Sequence, residues 1–321
     1  MSSIEPAPTP EPRKKTISSP YIHRLQRRHF LLFDILPFVG VAAAIAFLWV
    51  HPFGWTEFWL LFGMWVLTGM GITVGYHRLF THRTFTAVPA VQVALAIAGS
   101  MAGQGPVVSW AAIHRRHHEC SDRDGDPHSP NLSGGGLRGT LRGLAHSHFL
   151  WMRRHEYPNV AHYTPDLIKN RRLVSVARRY YWWFALGLAI PTVIGGLVYW
   201  SWEGAVSGLL WGGFVRVFLL EHIIWAINSF LHMYGTKPFR SRENSRNGGV
   251  FALMTFGESW HNNHHAFPES ASFGLSWYRL DPGYWLIQLL AACGLAAEVG
   301  KPTPDRIEAK RLVRTDLGAA Q

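Results

Sequence analysis

Cysteine is nearly missing from this chain of 321 residues: only Cys120 and Cys293 occur, far apart. Two distant thiols make no disulfide framework, no CxxC zinc site and no iron–sulfur spacing. Any metal must be held mainly by histidine or carboxylate. Charge is scarce as well, at 16% of residues against about 25% in a soluble domain. Acidic residues are the scarcer sign, 20 against 31 Lys and Arg, which leaves a formal net charge of +11. A nucleic-acid binder is also basic, but this chain is 48% hydrophobic and holds 15 Trp and 19 Phe. That content points to a membrane protein, in which a basic cytoplasmic face explains the charge. The stretch "MSSIEPAPTPEPRKKTISSP" has no apolar core of the signal-peptide kind directly after its basic residues. Residues 1–28 are expected to be a disordered cytoplasmic tail, and the polar residues 299–321 a second tail.

A membrane-crossing helix needs roughly 20 mostly apolar residues. Four stretches qualify, at about 30–50, 58–76, 180–200 and 204–231. Two shorter apolar runs, 88–103 and 284–297, suit interfacial helices or helices packed on a bundle. The connections set the topology. Arg13, Lys14, Lys15, Arg24, Arg27 and Arg28 precede the first span, Arg is dense over 77–179, and Lys237, Arg240, Arg242 and Arg246 follow the fourth span. The short links "HPFGWTE" and "SWEG" carry neither Lys nor Arg. The bias of basic loops to the inner side puts both termini and both long polar segments in the cytoplasm. The expected fold is an all-α membrane protein. Four transmembrane helices in two hairpins form one domain over 29–298, with a helical cytoplasmic cap built from 77–179 and 232–283. Trp55, Tyr180 and Trp200, at span ends, suit interfacial belts.

What the chain has in abundance is histidine, 18 residues, nine of them in clusters. His77 and His82 stand in "HRLFTH" after the second span, and His114, His117 and His118 in "HRRHH". His232 closes "NSFLH" at the end of the fourth span, and His261, His264 and His265 form "HNNHH". A single cluster reads as a basic surface loop. Together they select one membrane face and repeat one spacing. On a helix, residues i, i+3 and i+4 share a face, so HxxHH presents three imidazoles from one turn. His77 and His82 are five apart, about 140° around a regular helix, so the helix is expected to bend or end there. Nine imidazoles exceed the four ligands of a structural zinc site and suit two metal ions. Imidazole favours Zn, Cu, Fe and Ni over Mg or Ca. "HEYPN" at His155 lacks the second His of a zincin protease, and the two helical Glu-x-x-His motifs of the soluble di-iron bundles do not both occur. In the fourth span, Arg216, Glu221 and His222 are ionisable at membrane depth. Glu221 is expected to be a buried partner of Arg216 or another span, with the deep end of a substrate tunnel as the alternative.

The stretches "GYHRLFTHRTF", "WAAIHRRHH", "DGDPH", "NSFLHMYGTKPF", "SREN" and "GESWHNNHHAFP" resemble, in order, those of the membrane-bound fatty-acid desaturases, most closely the stearoyl-CoA Δ9-desaturase-like group. The resemblance runs from about 76 to 268. It implies nine ligands for two irons: His77, His82, His114, His117, His118, His232, His261, His264 and His265. Asn228, four residues before His232 on one helical face, is implied to reach a metal through water. Asp126 in "DPH" is implied to orient a ligating imidazole, with a turn or cap role as the alternative. His128 is no ligand in that pattern and reads as scaffold. Gln104 and Trp110 match positions that line the bend of an acyl tunnel, against plain helix packing. Ile224 stands where vertebrate members carry a small Thr, which bears on chain length and bond position. Arg153 and Arg154 resemble a basic pair that contacts CoA.

The implied activity is O2-dependent insertion of a cis double bond, at Δ9, into a saturated acyl-CoA by a non-heme di-iron centre. Acyl carrier protein or a lipid is the alternative carrier. The chain shows no heme-type HPGG motif after 268 and no ferredoxin cysteines, so electrons are expected from a separate ferredoxin with its reductase, or from a cytochrome b5. Two other readings compete: a lipid or alkane hydroxylase with the same metals, and a non-catalytic membrane metal-binding or transport protein. Transporter sites sit near the bilayer midplane, whereas these histidines fall at helix ends.

Overall fold

The computed structural model describes residues 14–153 and 155–312. Four helices among them are long and apolar enough to cross a membrane: Pro20–Phe47, Trp55–Thr81, Tyr180–Tyr199 and Trp202–His232. The short links between the first and second and between the third and fourth leave all the clustered histidines at the opposite end. The third and fourth spans approach through glycine. A Cβ at Gly208 would meet the Pro191 carbonyl oxygen at 2.1 Å, and one at Gly204 the Gly195 oxygen at 2.6 Å, the close backbone contact that small residues permit between membrane helices.

The first span begins ten residues earlier than its apolar run suggests. Pro20 stands in the first turn, and the Ser19 hydroxyl accepts from the Ile22 N–H at 3.2 Å, a start signal that hydropathy does not register. Residues 14–28 are therefore no free tail. Thr16–Ile17 pairs antiparallel with Tyr157–Pro158, and the Asn159 N–H donates to the Lys15 carbonyl at 2.9 Å. The other end is docked too. Ala296–Ala297 pairs with Thr86–Ala87, the Pro304–Lys310 helix packs Ile307 against Phe239 and Phe267, and the Leu312 N–H donates to the Pro238 carbonyl at 2.9 Å. The segment up to 312 is thus part of the cap, because one apolar residue and backbone pairing suffice to seat an otherwise polar stretch.

The second span changes pitch where its histidines stand. Gly71–Thr81 is a π-helix, in which each N–H bonds the carbonyl five residues back; the His82 N–H donates to His77 O at 3.1 Å. Residues five apart therefore lie one above the other, and the His77 and His82 rings come to 4.9 Å between centroids. The helix widens through His77 and ends at Thr81, one residue before His82. Two features accompany the widening: the Thr81 hydroxyl donates to Tyr76 O at 2.7 Å, and Gly71 lies against the Pro89–Met101 helix so closely that a Cβ would meet Gly99 N at 2.2 Å. Deeper in the bundle, Arg216 is fully buried and donates to the carbonyls of Met101 (2.8 Å), Gly187 (3.1 Å) and Gly212 (3.3 Å). Its nitrogens are thus taken by backbone, and the expected ion pair with Glu221 does not form among the described residues.

Gly71→Val is expected to force the second span off the Pro89–Met101 helix and to cost about 1–3 kcal/mol or more, as overpacking does. A lower thermal unfolding temperature in detergent checks this.

Candidate metal centre

Three helix ends and one short helix deliver the nine clustered imidazoles to one place. Their ring nitrogens fall into two groups, each with all its atoms within 4.8 Å: His77, His82, His114, His118 and His264; and His117, His232, His261 and His265. Six of the nine are buried and His82, His118 and His265 are half-buried. The contacts are nitrogen against nitrogen. His77 Nε2 lies 3.1 Å from His264 Nε2, which is 2.9 Å from His118 Nε2, itself 3.0 Å from His114 Nε2. His232 Nε2 faces His261 Nε2 at 2.9 Å. A neutral imidazole has one N–H, and those of His77, His117 and His232 are taken at Nδ1 by carboxylates, so their Nε2 atoms carry lone pairs. His82 Nε2, His117 Nε2 and His265 Nε2 are buried with no hydrogen-bond partner among the described residues. Converging lone pairs and orphaned nitrogens are what a pair of cations would satisfy, so the residues fit two metals with all-nitrogen donor sets.

A ring of carboxylates aims the imidazoles. Asp126 holds His117 Nδ1 at 3.0 and 3.1 Å, Asp122 holds His232 Nδ1 at 2.9 Å, Glu258 accepts from His77 Nδ1, and Glu243 stands 3.6 Å from His265 Nδ1. Such partners fix the tautomer and ring plane of a ligand. Burial pushes the Asp126 carboxyl up, but the His117 ring overrides it and holds it well below the usual range; Asp122 is likewise held down, through His232, against its burial. His117 is drawn up by Asp126 in spite of its burial. Burial, then the neighbouring imidazoles, pushes His82, His114, His118, His261, His264 and His265 well below the usual histidine value. These six stay neutral at pH 7, the form that binds metal.

Local folding places each group. His114, His117 and His118 share one face of the Val107–Cys120 helix. After it, Asp122 adopts φ +55°, a conformation an Asp tolerates when its own side chain organises the turn. Its carboxylate accepts from Ser129, Asn131, His232 and the Asn244 N–H. In "HNNHH" the two asparagines are struts: Asn262 Oδ1 accepts from Phe239 N, Asn263 donates to Phe273 O, and Asn247 Oδ1 accepts from the N–H groups of both, capping the His261–Ala266 helix. Arg78, fully buried, stands 2.8 Å from Asp281 and 3.5 Å from Glu258, and so carries the second span's position to the carboxylate that aims His77. His128 donates its backbone N–H to Asp126, and its ring lies tilted against that of His117, 4.3 Å between centroids.

A cavity of about 360 Å³ borders the centre. Gln104, Trp110, Ile224 and Asn228 line it together with His77, His114 and His261. The Trp110 Nε1–H donates to Gln104 Oε1 at 3.1 Å, and the Trp110 ring stacks on His114 at 5.1 Å. Ile22 and Leu25 of the first helix, with Trp151 and Met152, line one end; Asp34, Ile72 and Glu221 of three spans line the other. Arg153 is not on this cavity. It is exposed and lines a shallow surface pocket with His23, Arg24 and Arg27; Arg154 lies outside the described residues. Sequence reading missed three of the four orienting carboxylates. Glu243 and Glu258 sit inside the stretches "SREN" and "GESWHNNHH", so their position was legible and their role was not. Asp122 has no spacing signal, because its partner His232 is 110 residues away.

Asp126→Asn is expected to weaken metal retention ~10–100-fold, as loss of an orienting carboxylate does; metal content during chelator competition checks it. The six depressed imidazoles are neutral in the fold, but when unfolded they take up protons near pH ~6.5. The unfolded state thus binds more protons below that pH, and metal-free protein should lose stability as the pH falls from about 7 to 5. Thermal unfolding of chelator-treated protein across that range reads it, and metal-loaded protein should hold to lower pH.

The family described as "Fatty acid desaturase" matches residues 54–293 of this chain. A "Hex-5-enoyl-[acyl-carrier protein] acetylenase" of Moorena producens (strain JHB) is 52% identical over 312 residues, 97% of each chain. The "sn-1 stearoyl-lipid 9-desaturase" of Synechocystis sp. is 34% identical, covering 82% of this chain and 78% of its own. The "Delta-9 acyl-lipid desaturase 2" of Arabidopsis thaliana is 31% identical, covering 84% and 83%. With a matching family domain, relatives that span most of the chain and a two-group histidine centre between its helix ends, this oxidoreductase belongs to the fatty acid desaturase family.

Proposed function

We propose that the chain is an O2-dependent desaturase that holds two irons among its nine clustered histidines and inserts a cis double bond into an acyl chain carried as a thioester. The observation that carries this reading is the cavity, which borders the histidines and continues between the spans. His77, His82, His114, His118 and His264 are the ligands of one iron; His117, His232, His261 and His265 are those of the other, with Asn228 reaching it through water. Bound iron supplies the activation of O2 that unactivated C–H bonds require. The balance is two hydrogens from the chain, with two electrons and two protons from outside, reducing O2 to two waters. Trp110, braced by Gln104 and stacked on His114, lines the cavity together with Ile224. The two pin the chain beside the histidines, and such positioning is the main protein contribution to rate.

For the carrier, the resemblance favours CoA, whereas the Moorena relative is named for an acyl-carrier-protein substrate. We take acyl carrier protein as the carrier. The first helix turns Ile22 and Leu25 to the cavity and sets Arg24 and Arg27 beside Arg153, a basic rim that would steer an acidic carrier. The double bond falls at Δ9, as in the lipid desaturases, when nine carbons separate the thioester from the bend at Trp110. A separate ferredoxin with its reductase, or a cytochrome b5, supplies electrons at the histidine end, which faces the cytoplasm with both termini. A second reading, dehydrogenation of an existing double bond to a triple bond, is favoured by the same relative's name and uses the same residues.

Expressed with a competent electron donor in a host lacking its own desaturase, the chain should yield new monounsaturated acyl groups. These should vanish in His118→Ala and His264→Ala. Hydroxylated chains instead, or an unchanged acyl profile, would count against the proposal.

A further inference from the structure

The deep end of the cavity is not apolar. Asp34, on a π-helical segment in the middle of the first span, and Glu221, on the fourth, both line it and are 2% and 1% exposed. Asp34 Oδ2 and Glu221 Oε1 have no hydrogen-bond partner among the described residues, and neither does Gln104 Nε2 on the same cavity. Three residues from three segments thus line one space between the spans, each with an orphaned polar atom. Arg216, on the same span as Glu221, does not answer them, since each of its nitrogens donates to a carbonyl. A buried polar atom without a protein partner needs water or a ligand group.

We propose that Asp34 and Glu221 form a wet floor that limits how far an acyl chain extends beyond the metals. The inference rests on the acyl-desaturase reading for the nature of the ligand. Ile224, Trp225, Ile227 and Asn228 line the cavity between Glu221 and the histidines, so the space follows the fourth span. Glu221 stands seven residues before Asn228, about 10 Å along the helix. An extended chain advances ~1.2 Å per bond, so roughly eight carbons beyond the reacting bond bring a methyl end to the carboxyls. A longer chain must expel the water that hydrates them and leave both oxygens unpaired, and it is rejected for that reason. The floor therefore sets a ceiling on the methyl-side segment, whatever the position of the double bond.

Equilibrium binding of hexanoyl, decanoyl, octadecanoyl and docosanoyl pantetheine thioesters to the detergent-solubilised full chain, read by native mass spectrometry, tests this. In the wild type, affinity should rise with length and then fall for the longest chain. In Glu221→Leu and Asp34→Leu the fall should disappear, and the longest chain should gain about tenfold or more over decanoyl, the worth of a buried polar group left unpaired. Glu221→Gln, which keeps a polar floor, should retain the wild-type profile. Affinity that climbs steadily to docosanoyl in the wild type, or one length profile shared by wild type and both leucine variants, would overturn the proposal. So would failure of the leucine variants to fold, since water-facing carboxyls are expendable for packing. Turnover of the decanoyl thioester, measured in parallel, keeps the two readings apart: no unsaturated product with the expected binding profile would sink the desaturase reading and leave the floor standing.

Discussion

Nine imidazoles gathered with almost no thiol to help them are the constraint on which this structure depends. Neutral histidines packed nitrogen to nitrogen at about 3 Å are tolerable only while few carry protons and something positive sits between their lone pairs. The surroundings answer that demand. Burial suppresses protonation, and four carboxylates on the far side of the rings take up the Nδ1 atoms of His77, His117 and His232 and approach that of His265. The carboxylates must themselves be held, so Asp122 accepts left-handed backbone to collect four donors, and Arg78 is buried to fix Glu258.

The same demand reshapes the membrane helices. A regular second span would point His77 and His82 apart. The π-helical pitch brings them together, and the wider helix is accommodated by glycine contact with the neighbouring Pro89–Met101 helix. The cavity borders the second span at Ile72 and His77. Its walls near the histidines are aromatic and aliphatic, whereas its floor holds two carboxyls that no cation among the described residues neutralises by contact. A bundle selected only for stability would have paired or removed them. Their retention on a cavity wall links an unusual piece of membrane chemistry to the selection of substrate.

Much of the site was legible in the chain because helical spacing is local. HxxHH at 114–118 and 261–265 implies three rings on one face, and the structure has them so. Local spacing failed where the backbone left the standard pitch, as at His77 and His82, and where a partner came from far along the chain, as for Asp122 with His232. Hydropathy located all four spans but misjudged their ends, since a capped amphipathic turn such as Pro20–His29 continues a helix in polar residues. Charge alone offered Arg216 as a partner for Glu221, whereas Arg216 turned to two carbonyls of neighbouring helices and one of its own span.

The sequence by itself determined the class of the molecule, its four spans, and the ligand type, because composition and short-range periodicity survive without a fold. Only the tertiary structure decided how nine histidines divide into five and four, which carboxylates aim them, and what lies at the bottom of the cavity. Those outcomes depend on distances between residues tens to hundreds of positions apart, and such distances exist only once the spans have packed.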